Sequence, residues 1–593
     1  MRNEIDQAVK WRLEDIFSSD DEWEKEYAGI QPLVDKIQKY QGTLGTSADH
    51  LLASFQDMEH LDRQCEKLLI YARMRRDEDN GNTKYQALYD RIESLSIQTS
   101  SVTAFITPEL SSLDQGLIQS FMENNKELAV YRHLFDELWR QKEHILSFEE
   151  ERILAMSADL SISSKNTFTM LNNADIKFPM IKDEEGHEIE LTKGRFGRFM
   201  ESKDRRVRKE AFQGLYGSYA KLKNTVSSTF SASVKSDIFY SRVRNYPSSL
   251  EASLQGDNID PRVYQQLIES VHSKLPYLQR YVKLRQKMLG LDDLHVYDLY
   301  VSLIPEYKLE VPYEKARETV VEALQPLGHG YLDQLGKGMH GGWIDVYENQ
   351  GKTSGAYSWG SYDTHPYVLM NYDDKLDDLF TLAHEMGHSM HSFYSNQAQP
   401  YVYSQYPIFL AEVASTVNES LLIDHLLKKT NDRQEKLYLI NHYLEQFRGT
   451  VYRQTLFAEF EKIIHEKAEA GEALTPDMIS QVYLDLNRLY YGSQLILDEE
   501  IALEWMRIPH FYSAFYVYKY ATGFSAATAI KEQIVQEGEA AVKRYLNFLQ
   551  SGGSDYPVLL LQKAGVDLTQ AEPVEKALDF FAGLLDEMES LIE

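Results

Sequence analysis

Apolar positions along this chain recur mostly at helical spacing, and the stretches that depart from it are short. Ser19–Glu22 in SSDDEWEKEY and Ser147–Glu150 in SFEEERILAM fit the capping box, in which a hydroxyl and a carboxylate satisfy orphan backbone donors. Thr107-Pro108, Asp260-Pro261 and Thr475-Pro476 set a capping oxygen before a proline at the first helical position, where no hydrogen bond is lost. Long periodic stretches follow each signal, so a mainly α fold is expected, without the fixed period of a solenoid. Two segments break the helical rule. Residues 176–192, IKFPMIKDEEGHEIELT, alternate around an acidic turn containing Gly186 and predict a β-hairpin. Residues 341–372, rich in Gly, Tyr, Val and Ser, predict two or three short strands. Taking the hairpin as a boundary gives an N-terminal helical lobe over residues 1–195 and a larger lobe over 196–593.

Composition narrows the choice of partners. At 593 residues the chain is too long for one compact core, and 43% hydrophobic with 26% charged residues is ordinary for a globular protein. The net charge of -29 argues against nucleic acid and anionic membrane, which need a basic footprint. Acidity serves solubility first, with a preference for cationic substrates as the sharper alternative. Cys65 is the only cysteine, which excludes internal disulfides and thiolate metal clusters. It sits in an amphipathic helical pattern, LDRQCEKLLIYARM, and reads as a packed thiol. The start, MRNEIDQAVKWRLEDIF, has no apolar signal core, so a cytoplasmic protein is expected. YSAFYVYKYATGFSAATAI is broken by Lys519 and by polar atoms and is no membrane span.

Candidate chemistry concentrates in TLAHEMGHSMHSF, residues 381–393. On a helix of about 100° per residue, Leu379, Leu382, Met386, Met390 and Phe393 share one stripe. His384, His388 and His391 fall on nearly the opposite face. Residues four apart lie about 6 Å apart along the axis, so two imidazoles can converge at roughly 2.1 Å on one zinc ion. Glu385, partly round the helix, is placed to take a proton from water, which is the logic of H-E-x-x-H. A solvent-facing helix would carry the same amphipathic pattern, so the third ligand is the test. His391 lies about 4.5 Å beyond His388 along the axis and reads better as a neighbour than as a ligand. Glu412 is the stronger candidate, a carboxylate among Leu410, Ala411, Val413 and Ala414 on a helix opened by Pro407. The plainer reading is that it complements the helix dipole. Glu419, seven further on, suits a carboxylate that orients a ligand histidine, or else a solvated stripe.

Taken together, HEMGHSMHS, FLAEVASTVNE, GWIDVYENQGKTSGAYSWGSY and IPHFYSAFYVYKYATG resemble the thimet-oligopeptidase-like zinc metallopeptidases, and within them the oligoendopeptidase F group. KWRLEDIFSSDDEWE and FPMIKDEEGHEIELTKG extend the resemblance over nearly the whole chain. It implies a two-lobed, mainly helical body with a deep substrate channel and a small β-sheet beside the zinc helix. Carried over, His384, His388 and Glu412 hold one zinc per chain and Glu385 is the general base; His391 and Glu419 are placed behind them by spacing alone. Gly355, Ala356 and Tyr357 are implied as the edge that pairs with a peptide backbone, although a tight turn would read the same way. His510 and Tyr512 match the family's donors to the scissile carbonyl. A second tyrosine is expected about seven residues past the first, where Lys519 stands; Tyr516, Tyr518 and Tyr520 compete, and Tyr518 is favoured. The implied activity is hydrolysis of internal bonds in short unstructured oligopeptides. A zinc carboxypeptidase or dipeptidyl carboxypeptidase on a similar scaffold is the main alternative, and a non-enzymatic helical interaction protein the other.

Overall fold

The computed structural model describes residues 2–304 and 309–593. Helices dominate, and the described strands fall in two small sheets. The chain forms two compact units, each assembled from separated segments. The first takes in Met1–Ile145, Leu309–His425 and Ile530–Gly565; the second takes in Leu146–Lys308, Leu426–Ala529 and Val566–Glu593. The boundary drawn near residue 195 therefore falls inside the second unit, as does the hairpin.

Most of the helix-start signals operate as written. Ser147 and Glu150 close a full capping box, and Asp260 and Thr475 cap helices whose first residue is proline. Ser19 accepts the Glu22 amide, while the Glu22 carboxylate turns to Ser18. Thr107 is not a cap: the helix Ile106–Ser112 begins one residue earlier. Pro108 is then its third residue, among the first four whose N–H groups have no intrahelical partner, so the proline still costs no bond.

In the second unit, strands β1 (Met180–Lys182) and β2 (Glu188–Glu190) pair antiparallel, with Gly186 at φ 84° in the connecting turn. In the first unit, β3 (Ile344–Asp345), β4 (Tyr357–Trp359) and β5 (Tyr367–Leu369) form a sheet in the order β3-β5-β4. β3 runs parallel to β5 and β4 antiparallel to it, which leaves β4 on the edge. Residues near the N-terminus brace this sheet. The Arg12 amide donates to Gly342 and the Val346 amide to Val9, at 2.7 and 3.0 Å. Arg2 bridges Asp345 and Glu78, at 2.6 and 2.8 Å. Trp11, Trp23, Leu68, Tyr71, Tyr367 and Leu369 bury together beneath.

The tyrosine-rich, acidic composition has a structural use. Within the first unit the phenols of Tyr71, Tyr131 and Tyr357 donate to Asp20, Glu59 and Asp77. Within the second, Tyr281 and Tyr483 donate to Glu445 and Glu504. Such charge-assisted bonds let large rings fill the core while giving buried carboxylates a partner. Cys65 packs beside the first-unit core, and burial pushes its thiol up to about 12, so it is inert as a nucleophile. No helix among the described residues is long and apolar enough to cross a membrane.

Candidate metal centre

The motif lies on the helix Leu376–Ala398, which is buried around most of its circumference by β4 and the helices Tyr313–Ala323 and Glu539–Leu549. Leu379, Leu382, Met386 and Met390 are buried, as their spacing predicted. His391 departs from the predicted outward face. It is 1% exposed and stacks on Tyr406 at a centroid distance of 3.6 Å, with Phe548 beyond. The ring turns inward because an aromatic slot offers it more contact than the polar face does. It is a core neighbour of the motif, and burial pulls its pKa down to about 3, keeping it neutral.

The helix Ile408–Lys429 crosses the motif helix in close contact, and the crossing point is Gly387. A Cβ there would meet Ser415 Cα at 2.5 Å and the Ala414 carbonyl oxygen at 2.8 Å. Asn418 adds a buried bond from its amide to the Ala383 carbonyl, at 3.1 Å. This approach brings Glu412 and Glu419 to the histidines. Sequence reasoning passed over both Gly387 and Asn418. The available signal was a glycine in a helix interior, which costs about 1 kcal/mol and usually has a packing reason.

His384 Nε2 and His388 Nε2 lie 3.2 Å apart, and Glu412 Oε2 lies 3.5 and 3.9 Å from them. Two zinc–ligand bonds of about 2.1 Å at a tetrahedral angle separate their donor atoms by about 3.4 Å, so the three atoms fit one shared ion. The chemistry also fits, since two imidazoles and a carboxylate are a borderline-soft set suited to zinc. His384 Nδ1 donates to Glu419 Oε1 at 2.5 Å, which fixes the tautomer that leaves Nε2 available. Burial lowers the His384 pKa, but the Glu419 hydrogen bond and the charges of Glu419, Glu385 and Glu412 outweigh it and raise it to about 9. His388, which bonds the Ala411 backbone, is pulled down to about 3, mainly by burial and then by its neighbour His384.

Glu385 is 7% exposed. Burial pushes its carboxyl up to about 7, with the charge of His384 opposing and those of Glu412 and Glu419 adding. It also takes a hydrogen bond from the Ser358 backbone on β4, which ties the edge strand to the motif. Ser358 Oγ and Ser389 Oγ make a second tie at 2.8 Å. Gly355 stands at φ 84° with its carbonyl accepting from Asn371, so it turns the chain into the sheet, and of the three predicted edge residues only Tyr357 lies within β4.

The remaining predicted residues lie in the second unit. Tyr512 stacks on Phe168 at 4.2 Å, and its hydroxyl lies 2.7 Å from Thr229 Oγ1. Tyr518 is 1% exposed and packs on Tyr264. His510 Nε2 instead meets the Tyr520 hydroxyl, at 3.4 Å, and its ring faces Tyr516.

The family model described as Peptidase family M3 matches residues 198–580, and one described as Oligopeptidase F matches residues 109–178. Oligopeptidase PepF of Bacillus subtilis (strain 168) is 48% identical over 591 residues, covering 100% of this chain and 88% of the relative. The oligoendopeptidase F homolog of Lactococcus lactis subsp. lactis (strain IL1403) is 42% identical over 594 residues, covering 100% and 98%. Among solved structures, oligoendopeptidase-F from Enterococcus faecium superposes with a TM-score of 0.76 at 39% identity, covering 97% of this chain and 99% of its own.

Proposed function

The chain belongs to peptidase family M3 and is a metalloendopeptidase acting on oligopeptides, and from that premise we propose that it works through one zinc ion held by His384, His388 and Glu412, with Glu385 as general base. The observation that carries this is the convergence of three donor atoms at 3.2, 3.5 and 3.9 Å beside a buried carboxyl. When bound, zinc would polarise the scissile carbonyl and make a water acidic at neutral pH. Glu385 accepts the proton from the attacking water and returns it to the leaving amine. Glu419 keeps His384 in the ligating tautomer, and the Ala411 backbone holds His388. The free edge of β4, tied to Glu385 through Ser358, pairs with the extended backbone of the substrate. His510 and Tyr512 donate to the developing oxyanion. For the second phenol our reading takes Tyr520, which meets His510, in place of the buried Tyr518. A cytoplasmic setting is part of the same reading.

A digest of a peptide blocked at both ends tests the activity. Internal cleavage that stops with chelator and returns with zinc is expected. No cleavage of the blocked peptide, with trimming of an open one, would favour the carboxypeptidase alternative. Metal analysis tests the ligands: Glu412→Ala is expected to lose zinc and His391→Ala to keep it, and the reverse order would remove Glu412 from the set.

A further inference from the structure

Phe515 stands at φ 57°, in the left-handed region that a bulky side chain occupies only when its surroundings hold it there. It lies at the bend between the turn Pro509–Tyr512 and the helix that starts at Tyr518. Its ring is 2% exposed, with His465 at 4.6 Å and Tyr264 at 6.1 Å. Its amide donates to Glu461 Oε1 at 3.2 Å.

Glu461 is 0% exposed, on the helix Arg453–Glu469, and its second oxygen, Oε2, has no hydrogen-bond partner. A fully buried carboxyl with half of its bonding capacity unused is costly, and a leucine would fill the space without that cost. What a leucine cannot do is accept a backbone hydrogen bond. Burial, with the charge of Asp237 adding, pushes the Glu461 carboxyl well above the usual carboxylate range, and the Phe515 amide opposes only in part. His465, one turn on along the same helix, is engaged with Asp237 at 3.2 Å and with the Glu461 carbonyl at 2.9 Å. Glutamine, close to Glu461 in shape, keeps an oxygen able to accept from the Phe515 amide, whereas leucine does not.

We propose that Glu461 is a positioning residue: by holding the Phe515 amide it fixes the left-handed bend that aims His510 and Tyr512 on one side and Tyr516 and Tyr520 on the other. The proposal rests on the reading that this segment donates to the scissile carbonyl.

The test compares Glu461→Gln and Glu461→Leu with the wild-type enzyme in kcat, KM and zinc content on a blocked peptide. Hydrogen exchange across residues 510–520 is followed by mass spectrometry. Glutamine keeps an acceptor and is expected to hold kcat within about threefold. Leucine is expected to lower kcat at least tenfold, with KM and zinc content unchanged and faster exchange at residues 513–517. A folded, zinc-loaded leucine variant with wild-type kcat would overturn the proposal. If that variant does not fold, the wild-type enzyme still decides: a slow Phe515 amide supports the hold, and one exchanging like open loop amides refutes it. His510→Ala and Tyr512→Phe run in parallel. Normal kcat in both would overturn the reading beneath and the proposal together, whereas loss there with normal kcat in the leucine variant would overturn the proposal alone.

Discussion

His384, His388 and Glu412 stand on two regular helices that touch at a glycine, whereas His510 and Tyr512 stand on a run of tight turns ended by a left-handed phenylalanine. In the first region the backbone does the positioning. Successive turns set the histidines, and one close crossing sets the carboxylate, which leaves the Glu419 hydrogen bond to fix only the tautomer of His384. In the second, no repeat fixes direction, and single bonds from Thr229 and Glu461 take over that task. The lesson is that the two sites should fail differently. The metal centre should be intolerant of added volume, and the turn segment intolerant of lost hydrogen bonds.

The largest expected effect is that of Glu385→Gln, which would remove the proposed proton acceptor and leave the crossing intact. Steady-state kinetics should show kcat down by about 10²–10⁴-fold, with zinc content unchanged. Tyr512→Phe should follow, with turnover down by about 10²–10³-fold, the cost of one oxyanion donor, again without metal loss. Unchanged turnover would take Tyr512 out of that role. Glu419→Ala should weaken zinc about 10–100-fold in a chelator competition, because His384 loses the bond that fixes its tautomer. Gly387→Ala inserts one methyl against backbone that cannot yield, and overpacking of this kind costs about 1–3 kcal/mol. Thermal unfolding should show that cost, and zinc affinity should fall with it; a neutral alanine would mean that the crossing is not what places Glu412.

The smallest effect belongs to the footing of the turn segment. Glu504 is buried, which alone would raise its pKa, but Arg453 and Arg507 overcome this and lower it to about 2. A lowered carboxylate contributes stability that is present above its unfolded pKa, near 4.5, and is lost as pH falls towards 2. Acid unfolding of the wild-type protein should therefore steepen through that window. Glu504→Gln should flatten it, and an unchanged acid limb would show that the pairing carries no net stability.

How much of this could be read from the sequence follows the same division. The motif helix and the grouping of His384, His388 and Glu412 were legible because histidines four apart share a helix face. The hairpin was legible from alternation around Gly186, and the short strands from a stretch rich in Gly, Tyr, Val and Ser. The outward face of His391 was misread, since periodicity states which face a residue shares but not whether the loop carrying Tyr406 covers it. Gly355 was misread for a related reason: a small residue looks alike in an edge strand and in the turn that precedes it. The choice among Tyr516, Tyr518 and Tyr520 was beyond periodicity, because the backbone between His510 and Tyr518 is not periodic. The cap expected at Thr107 was missed by two residues, since proline is tolerated at the third helical position as well as the first.

The phenols that donate to carboxylates have a consequence for handling the protein in base. A tyrosine such as Tyr131, buried and bonded to Glu59, resists ionising because its anion would face another anion in a dry setting. Alkali should leave these rings without their tyrosinate band until the fold itself gives way. The tyrosinate absorbance would then rise with unfolding, making it a built-in gauge of alkaline denaturation that needs no added dye.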